Sequence, residues 1–399
     1  MSRTPKLAIV VSHPIQHFAP VYKRIGESGQ IDLVVFYHSD AGAREHHDEG
    51  FGKKIRWDID LLSGYRSIVL SPGASVSDAG FWQMDSPRLS ALLDNESPDA
   101  VMLYGYASRM QWRARTWARA HKRQLLYFSD SSSIESRQLW KRVVKAIPVR
   151  YFFSAIDVFL TVGERNAEYL TSYGADPRKM RRCPLSVDVR RFSDAQRDIA
   201  AICDVREKYG ISGSEFVVLF SGKLCERKRP LDLLHAAVTS RIAGHPVVAL
   251  FVGSGELGDL LEAARSGSSA PEAVRFAGFV NQQDLPVIYC ASNTLAVTSS
   301  RDPHPLVVTE AAACGLPIIA SSAIGCIGPT DTVQENRNGL VYPCGDVSAL
   351  QRSIERLMAS PELCRQMTLA SREIAATQDV SVAAQAIEEA VLGAQSDVK

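Results

Sequence analysis

With 399 residues, 46% hydrophobic and 22% charged, the chain has enough apolar material for two cores and lacks the composition of a disordered protein. Its 45 basic and 44 acidic residues almost cancel, but residues 1–195 hold 28 basic and 21 acidic (net +7) and the remainder is net −6, so the halves are expected to meet different partners. No apolar run reaches the roughly 18–20 residues of a membrane-spanning helix.

The first apolar run, Leu7–Val11, is too short and too β-branched for a secretory signal. Short β-rich runs then alternate with helical patterns. Strands are expected at Lys6–Ser12, Ile31–Tyr37, Ala100–Tyr104, Gln124–Phe128 and Asp157–Val162. A second series is expected at Phe216–Ser221, Val247–Val252, Val274–Phe276, Thr294–Thr298 and Pro317–Ser321. Helices are expected at Ser108–His121, Leu231–Thr239, Leu257–Ala264 and Leu306–Cys314, with one long helical pattern from about Leu350 to Ala394. Such alternation indicates βαβ units and parallel sheets, and two series indicate two doubly wound, Rossmann-like α/β domains. The expected division is 1–195 for the first domain and 215–375 for the second, with 376–399 as a helix packing back on the first. A polar seam at Phe192–Ser214 lies between them. In such folds ligands gather at the carboxyl ends of the strands, here in a cleft between the domains. The eight cysteines are scattered from Cys183 to Cys364 without a CxxC pair, which fits reduced thiols in a cytoplasmic protein.

Chemistry concentrates in the second half. In Thr298-Ser-Ser-Arg-Asp302-Pro-His-Pro305-Leu-Val-Val-Thr-Glu310, a strand runs into a loop carrying Asp302, and Pro305 opens a helix. The amides of Leu306 and Val307 offer an anion site, and Glu310, one turn in, is placed to hold vicinal ribose hydroxyls. The plain alternative is an acidic residue on an exposed helix face. In Ser221-Gly222-Lys223-Leu-Cys-Glu-Arg227-Lys228-Arg229, Gly222 ends a strand and four cations follow within seven residues, suited to a departing diphosphate. The run Gly253-Ser-Gly255-Glu-Leu-Gly258 spells GxGxxG after a strand. No acidic residue ends the next strand, so it reads as a structural turn and not a dinucleotide site.

These segments resemble the retaining glycosyltransferases of family 4 (glycosyl transferases group 1), which have the two-domain GT-B fold. The resemblance covers about Phe216 to Leu350, with weaker agreement at Thr161–Phe192. It implies that Glu310 binds the nucleotide ribose and that Asp302 stands beside the donor sugar, where the family's E-x7-E motif has Glu. It also implies that Lys223 and Lys228, with Gly222, hold the diphosphate, and that Val280 meets the base through its backbone. Asp302 for Glu, Lys223 for Arg and Pro305 for Gly depart from the family pattern; lysine in place of arginine keeps the charge and loses the bidentate fork.

On the acceptor side, His13 ends the first strand and is expected near the donor phosphates, with a capping histidine as the alternative. The family's usual His is absent from Tyr104-Gly-Tyr106. His46-His-Asp-Glu49 reads as a solvated loop, and no metal or cofactor is expected beyond a UDP- or GDP-sugar donor. Residues 109–150 carry eleven basic and two acidic side chains with Trp112, Trp117 and Trp140 among them, and Tyr151–Phe153 follow. Residues 109–153 are therefore expected either to touch an anionic lipid surface or a polyprenyl-diphosphate-linked acceptor, or to form a solvated helix face with its aromatics in the core. Nucleic acid is not expected, since no binding module accompanies the charge. The expected function is transfer of a sugar to a glycan or lipid-linked acceptor in bacterial surface polysaccharide or glycoconjugate synthesis, at the inner face of the membrane. The alternatives are another GT-B enzyme (a sugar-nucleotide epimerase or a disaccharide synthase) and a non-catalytic nucleotide-binding partner of a glycan assembly complex.

Overall fold

In the computed structural model, residues 3–48, 50–76, 80–132 and 139–396 are described; Glu49 of the histidine loop and Glu135 and Arg137 of the basic stretch lie outside them, as does the side chain of Trp140. Contacts group Met1–His46, Lys54–Ser186 and Asp379–Lys399 into an N-terminal unit, and His47–Lys53 and Val187–Gln378 into a C-terminal unit.

In chain order the first strands are β1 (Lys6–Val11), β2 (Asp32–Tyr37), β3 (His46–Asp48), β4 (Lys53–Ile55), β5 (Arg66–Val69), β6 (Ala100–Tyr104), β7 (Gln124–Ser129), β8 (Val158–Thr161) and β9 (Met180–Arg182). Seven of these form the sheet of the N-terminal unit, in the order β5-β2-β1-β6-β7-β8-β9, while β3 and β4 form a separate two-stranded ribbon. The pairings are parallel, with Leu7 beside Leu33 on one side and Ala100 on the other. Central strands covered by helices on both faces must be apolar throughout, which is why Leu7–Val11 is buried without interruption. One face of this sheet packs a core of Val10, Phe36, Leu103, Tyr127 and Phe159 with Leu93, Met110, Trp117, Phe152 and Phe153 from the helices. The helix Val380–Ser396 joins this unit against the helix Ala19–Ser28. There Ser28 Oγ bonds the buried carboxylate of Glu388, and Gln124 donates to the carbonyl of Ala390 at 2.8 Å.

The C-terminal unit holds β10 (Phe216–Ser221), β11 (Val247–Val252), β12 (Val274–Gly278), β13 (Thr294–Val297), β14 (Ile318–Ser321) and β15 (Gly339–Tyr342), all parallel, in the order β12-β11-β10-β13-β14-β15. Alternate residues of β10 feed two cores, Val217 and Leu219 on one face, Val218 and Phe220 on the other. In both sheets the order reverses beside the first strand, β1 against β6 and β10 against β13. Loops leaving those two strands diverge and open a crevice, the position where doubly wound sheets take their ligands.

The long pattern near the C-terminus is three helices, Val347–Ala359, Pro361–Ala376 and Val380–Ser396. Ser360 breaks the first pair: its hydroxyl accepts the amide of Leu363, and Pro361, with no amide to lose, opens the next helix.

Candidate donor site in the C-terminal unit

The loops after β10, β11 and β13 are locked together by their backbones. Gly222 donates to Val252 O at 2.9 Å, Leu224 to Ser254 O at 2.9 Å and Leu257 to Leu224 O at 2.9 Å. Gly222 has φ +145°, and a Cβ on Gly253 would fall 1.8 Å from the carbonyl oxygen of Gly222. A Cβ on Gly255 would likewise collide with Leu224 backbone atoms. Gly253 and Gly255 of the GxGxxG run are thus accounted for by the approach of two loops, whereas Gly258 has open space around its Cβ position. The turn Glu226–Lys228 is clamped to the loop after β13: Ser300 N–H donates to Arg227 O at 2.8 Å and the Thr298 hydroxyl donates to Lys228 O at 2.6 Å.

That clamp decides the electrostatics. Lys228 forms a short ion pair with Asp302, and Arg227 reaches the same carboxylate oxygen at 3.4 Å and the carbonyl of Arg301 at 2.7 Å. The side chains of Lys228 and Asp302 are only 14% and 11% exposed, so each charge needs the other. Arg229, in the left-handed region at φ +48°, turns away to pair with Asp232 at 2.7 Å. Lys223 is 36% exposed and pairs with Asp48 at 2.7 Å, over the ring of Phe51. Asp48 and Phe51 belong to the 47–53 segment of this unit, whose Phe51 carbonyl accepts from Ser254 Oγ at 3.0 Å and whose Phe51 ring meets Phe279 edge-on at 5.1 Å.

Four residues after Asp302 the helix Leu306–Ala313 begins with Pro305 as its cap. The amides of Leu306 and Val307 lie in its first turn, where no intrahelical acceptor exists. Glu310 is one turn further in. The Tyr289 hydroxyl donates to its Oε2 at 2.7 Å. Burial lifts the Glu310 pKa above the ordinary carboxylate range, opposed by the Tyr289 bond and by the charge of Arg191. Glu310 keeps part of its surface open, unlike the exposed-face alternative, which would leave it fully solvated. Val280 follows Gly278 (φ +68°) at the end of β12, and its side chain leans on the core.

Asp302, Lys228, Lys223, Gly222, Leu306, Val307 and Glu310 therefore lie on loops and one helix at the carboxyl ends of β10 and β13, with Val280 after β12. His13 belongs to the other unit, at the carboxyl end of β1, with Nδ1 2.9 Å from Ser12 Oγ. Burial, helped by the nearby His46, brings its pKa down to about 4, so the imidazole is neutral near pH 7. Tyr104 is half-buried with its ring edge-on to Phe18 at 5.0 Å, and the Tyr106 hydroxyl meets that of Tyr169 at 2.6 Å. Sequence reasoning missed Tyr289 and Asp48, which lie 21 and 175 residues from their partners and carry no motif.

In the basic stretch, Trp117, Phe152 and Phe153 are core residues, and the Arg115 guanidinium is buried against Trp112 and Tyr151, donating to the carbonyls of Phe152 and Tyr151. Trp112, Trp117, Phe152 and Phe153 thus serve the core, whereas Val144, Ile147 and Tyr151 of the helix Leu139–Phe153 are 63%, 74% and 62% exposed.

Residues 203–374 match the family Glycosyl transferases group 1. The chain is similar to that family over most of its C-terminal unit. It is 31% identical over 201 residues to the D-inositol 3-phosphate glycosyltransferase of Geodermatophilus obscurus, covering 48% of this chain and 43% of that one. The chain spans about half the length of the curated relatives it matches. Among solved structures, the Anabaena protein HepE in complex with UDP superposes with a TM-score of 0.74 at 16% identity, over 97% of this chain and all (100%) of that one. WaaG, a glycosyltransferase involved in lipopolysaccharide biosynthesis, superposes with a TM-score of 0.67 at 14% identity, over 97% and 100% of the two chains. The chain has the GT-B fold.

Proposed function

We propose that the protein is a retaining glycosyltransferase that takes a sugar from a nucleoside-diphosphate donor and passes it to a glycan or lipid-linked acceptor in bacterial surface polysaccharide or glycoconjugate synthesis. The observation that carries the reading is the convergence of Asp302, Lys228 and Glu310 at the β10/β13 reversal of the C-terminal sheet. Glu310 would accept from the ribose hydroxyls, with Tyr289 holding its free oxygen. Lys223, Lys228, Gly222 and the amides of Leu306 and Val307 would receive the charge that builds on the departing diphosphate. Asp302 would orient the donor sugar. Its pairing with Lys228 means that the sugar and phosphate meet a lysine whose charge is already matched in the absence of donor, and Lys223 must likewise exchange Asp48 for phosphate. His13, neutral near pH 7, would serve the phosphates or the acceptor as a hydrogen-bonding group and not as a fixed cation. The base contact falls to the backbone at Val280.

UDP is the first nucleotide to test, because HepE was solved with it. Calorimetry with UDP, GDP, ADP and CDP is expected to show one nucleotide binding the wild type and none binding Glu310→Ala. Binding of none by the wild type would overturn the reading. For the acceptor side, the exposed Val144, Ile147 and Tyr151, spaced to share one helical face near the exposed Arg150, support contact with an anionic lipid surface. Vesicle sedimentation at low salt tests this; failure to sediment with anionic vesicles sinks it.

A further inference from the structure

Tyr289 and Glu310 stand on two neighbouring helices, Leu285–Cys290 and Leu306–Ala313, and each is followed by a cysteine at the helix end. Cys290 is the residue after Tyr289. Cys314 lies one turn after Glu310, and its amide donates to the Glu310 carbonyl at 3.2 Å. The two side chains line the same cavity of about 470 Å³, with Arg372 on its wall, and the Cys314 sulfur reaches the carbonyl of Pro286, one helical turn before Cys290. Their surroundings differ in a way that sets their chemistry. Cys314 is buried, and its sulfur lies 3.5 Å from the Phe192 carbonyl and 3.8 Å from that of Pro286, acceptors that compete for its one proton. Cys290 is partly exposed to the cavity.

We propose that Cys290 and Cys314 are a peroxide-oxidised thiol pair whose disulfide loosens the hold of Glu310 and Tyr289 on the nucleotide. The formation of the disulfide stands on the cysteine geometry alone; its effect on nucleotide rests on the function proposed above. The neighbouring Cys314 thiol and the charge of Arg372 bring the Cys290 pKa below its ordinary value, while burial pushes that of Cys314 up. The Cys290 sulfur attacks an oxygen of hydrogen peroxide; the O–O bond breaks and hydroxide leaves, taking up a proton as water. The Cys314 sulfur then attacks the Cys290 sulfenic acid, the S–S bond forms as the S–O bond breaks, and the hydroxyl leaves as water with the Cys314 proton. Two thiols are oxidised and one peroxide is reduced to two waters. An S–S bond of ~2 Å is shorter than a non-bonded sulfur contact, so closure draws together the ends of the helices that carry Tyr289 and Glu310.

The test treats the full-length protein with hydrogen peroxide, alkylates the remaining thiols, and maps peptides by mass spectrometry, with Cys290→Ser and Cys314→Ala in parallel. A linked Cys290–Cys314 peptide in the wild type, reversed by dithiothreitol, supports the pair; so does a Cys290 sulfenic acid trapped by dimedone in Cys314→Ala. No linkage, or Cys290 bridged to Cys364 on the same cavity wall, overturns it. On the same samples, nucleotide binding is expected to weaken about fivefold on oxidation and to recover on reduction. Unchanged affinity in an oxidised protein whose reduced form binds nucleotide overturns the coupling. Reduced protein that binds no nucleotide defeats the functional reading and leaves the mapped disulfide standing.

Discussion

Glu310 is a half-buried carboxylate whose Oε2 accepts from a phenol, and its behaviour is set by burial on one side and by that bond and the charge of Arg191 on the other. Replacing Tyr289 with Phe removes the donor without changing the ring, so the Glu310 pKa is expected to rise further and nucleotide affinity at neutral pH to fall about tenfold. Calorimetry across pH checks this: the loss should shrink as pH rises and the carboxylate re-ionises. His13 gives a second pH signature. Its folded pKa of about 4 lies below the unfolded value of 6.5, so its contribution to stability is complete above pH 6.5 and is lost as pH falls toward 4. Following the His13 ring by NMR should show no titration above pH 5. A His13→Gln variant should lose the part of the acid-induced destabilisation, at most about 3 kcal/mol, that this group supplies. The placement of Asp302 and Glu310 just after β13 was open to sequence reasoning because strand, loop and helix lie within one short segment. Tyr289 was not, because only the packing of two helices brings it to Glu310.

At the level of elements, the site is rigid because its loops are stitched by backbone atoms. Gly253→Ala would place a methyl 1.8 Å from the Gly222 carbonyl at φ +138°, and urea unfolding is expected to show a loss of about 3 kcal/mol or more, or no folded protein. Gly258→Ala, with open space around its Cβ position, is expected to change stability by less than about 1 kcal/mol. The same letters in one motif thus carry unequal weight. The central strands were legible because their apolar runs have no polar interruption. Short edge strands such as β5, β9 and β15 were not read, since three or four residues give too little pattern to separate from loop. The three C-terminal helices ran together for a similar reason: amphipathic periodicity persists across Ser360-Pro361, and the break lies in capping chemistry.

Across the whole chain, composition and alternation sufficed for two parallel α/β sheets, while the segments that depart from sequence order were opaque. Residues 47–53 group with the C-terminal unit through Asp48 and Phe51, which meet Lys223 and Ser254, and through Lys53, which lies over the ring of Phe279; none of the three carries a motif of its own. The helix Val380–Ser396 groups with the N-terminal unit, so removing residues 379–399 is expected to lower the thermal stability of that unit by several degrees. It would uncover Ala19–Ser28, and calorimetry with bound nucleotide should show the C-terminal transition still raised by ligand.

The same division sorts the chain's own reporter groups. All five tryptophans fall between Trp57 and Trp140, in the N-terminal unit, whereas seven of the eight cysteines, Cys203 to Cys364, fall in the C-terminal one. Tryptophan emission therefore watches one unit melt and thiol labelling watches the other. A denaturant series read by both probes resolves the two unfolding transitions without a single introduced label.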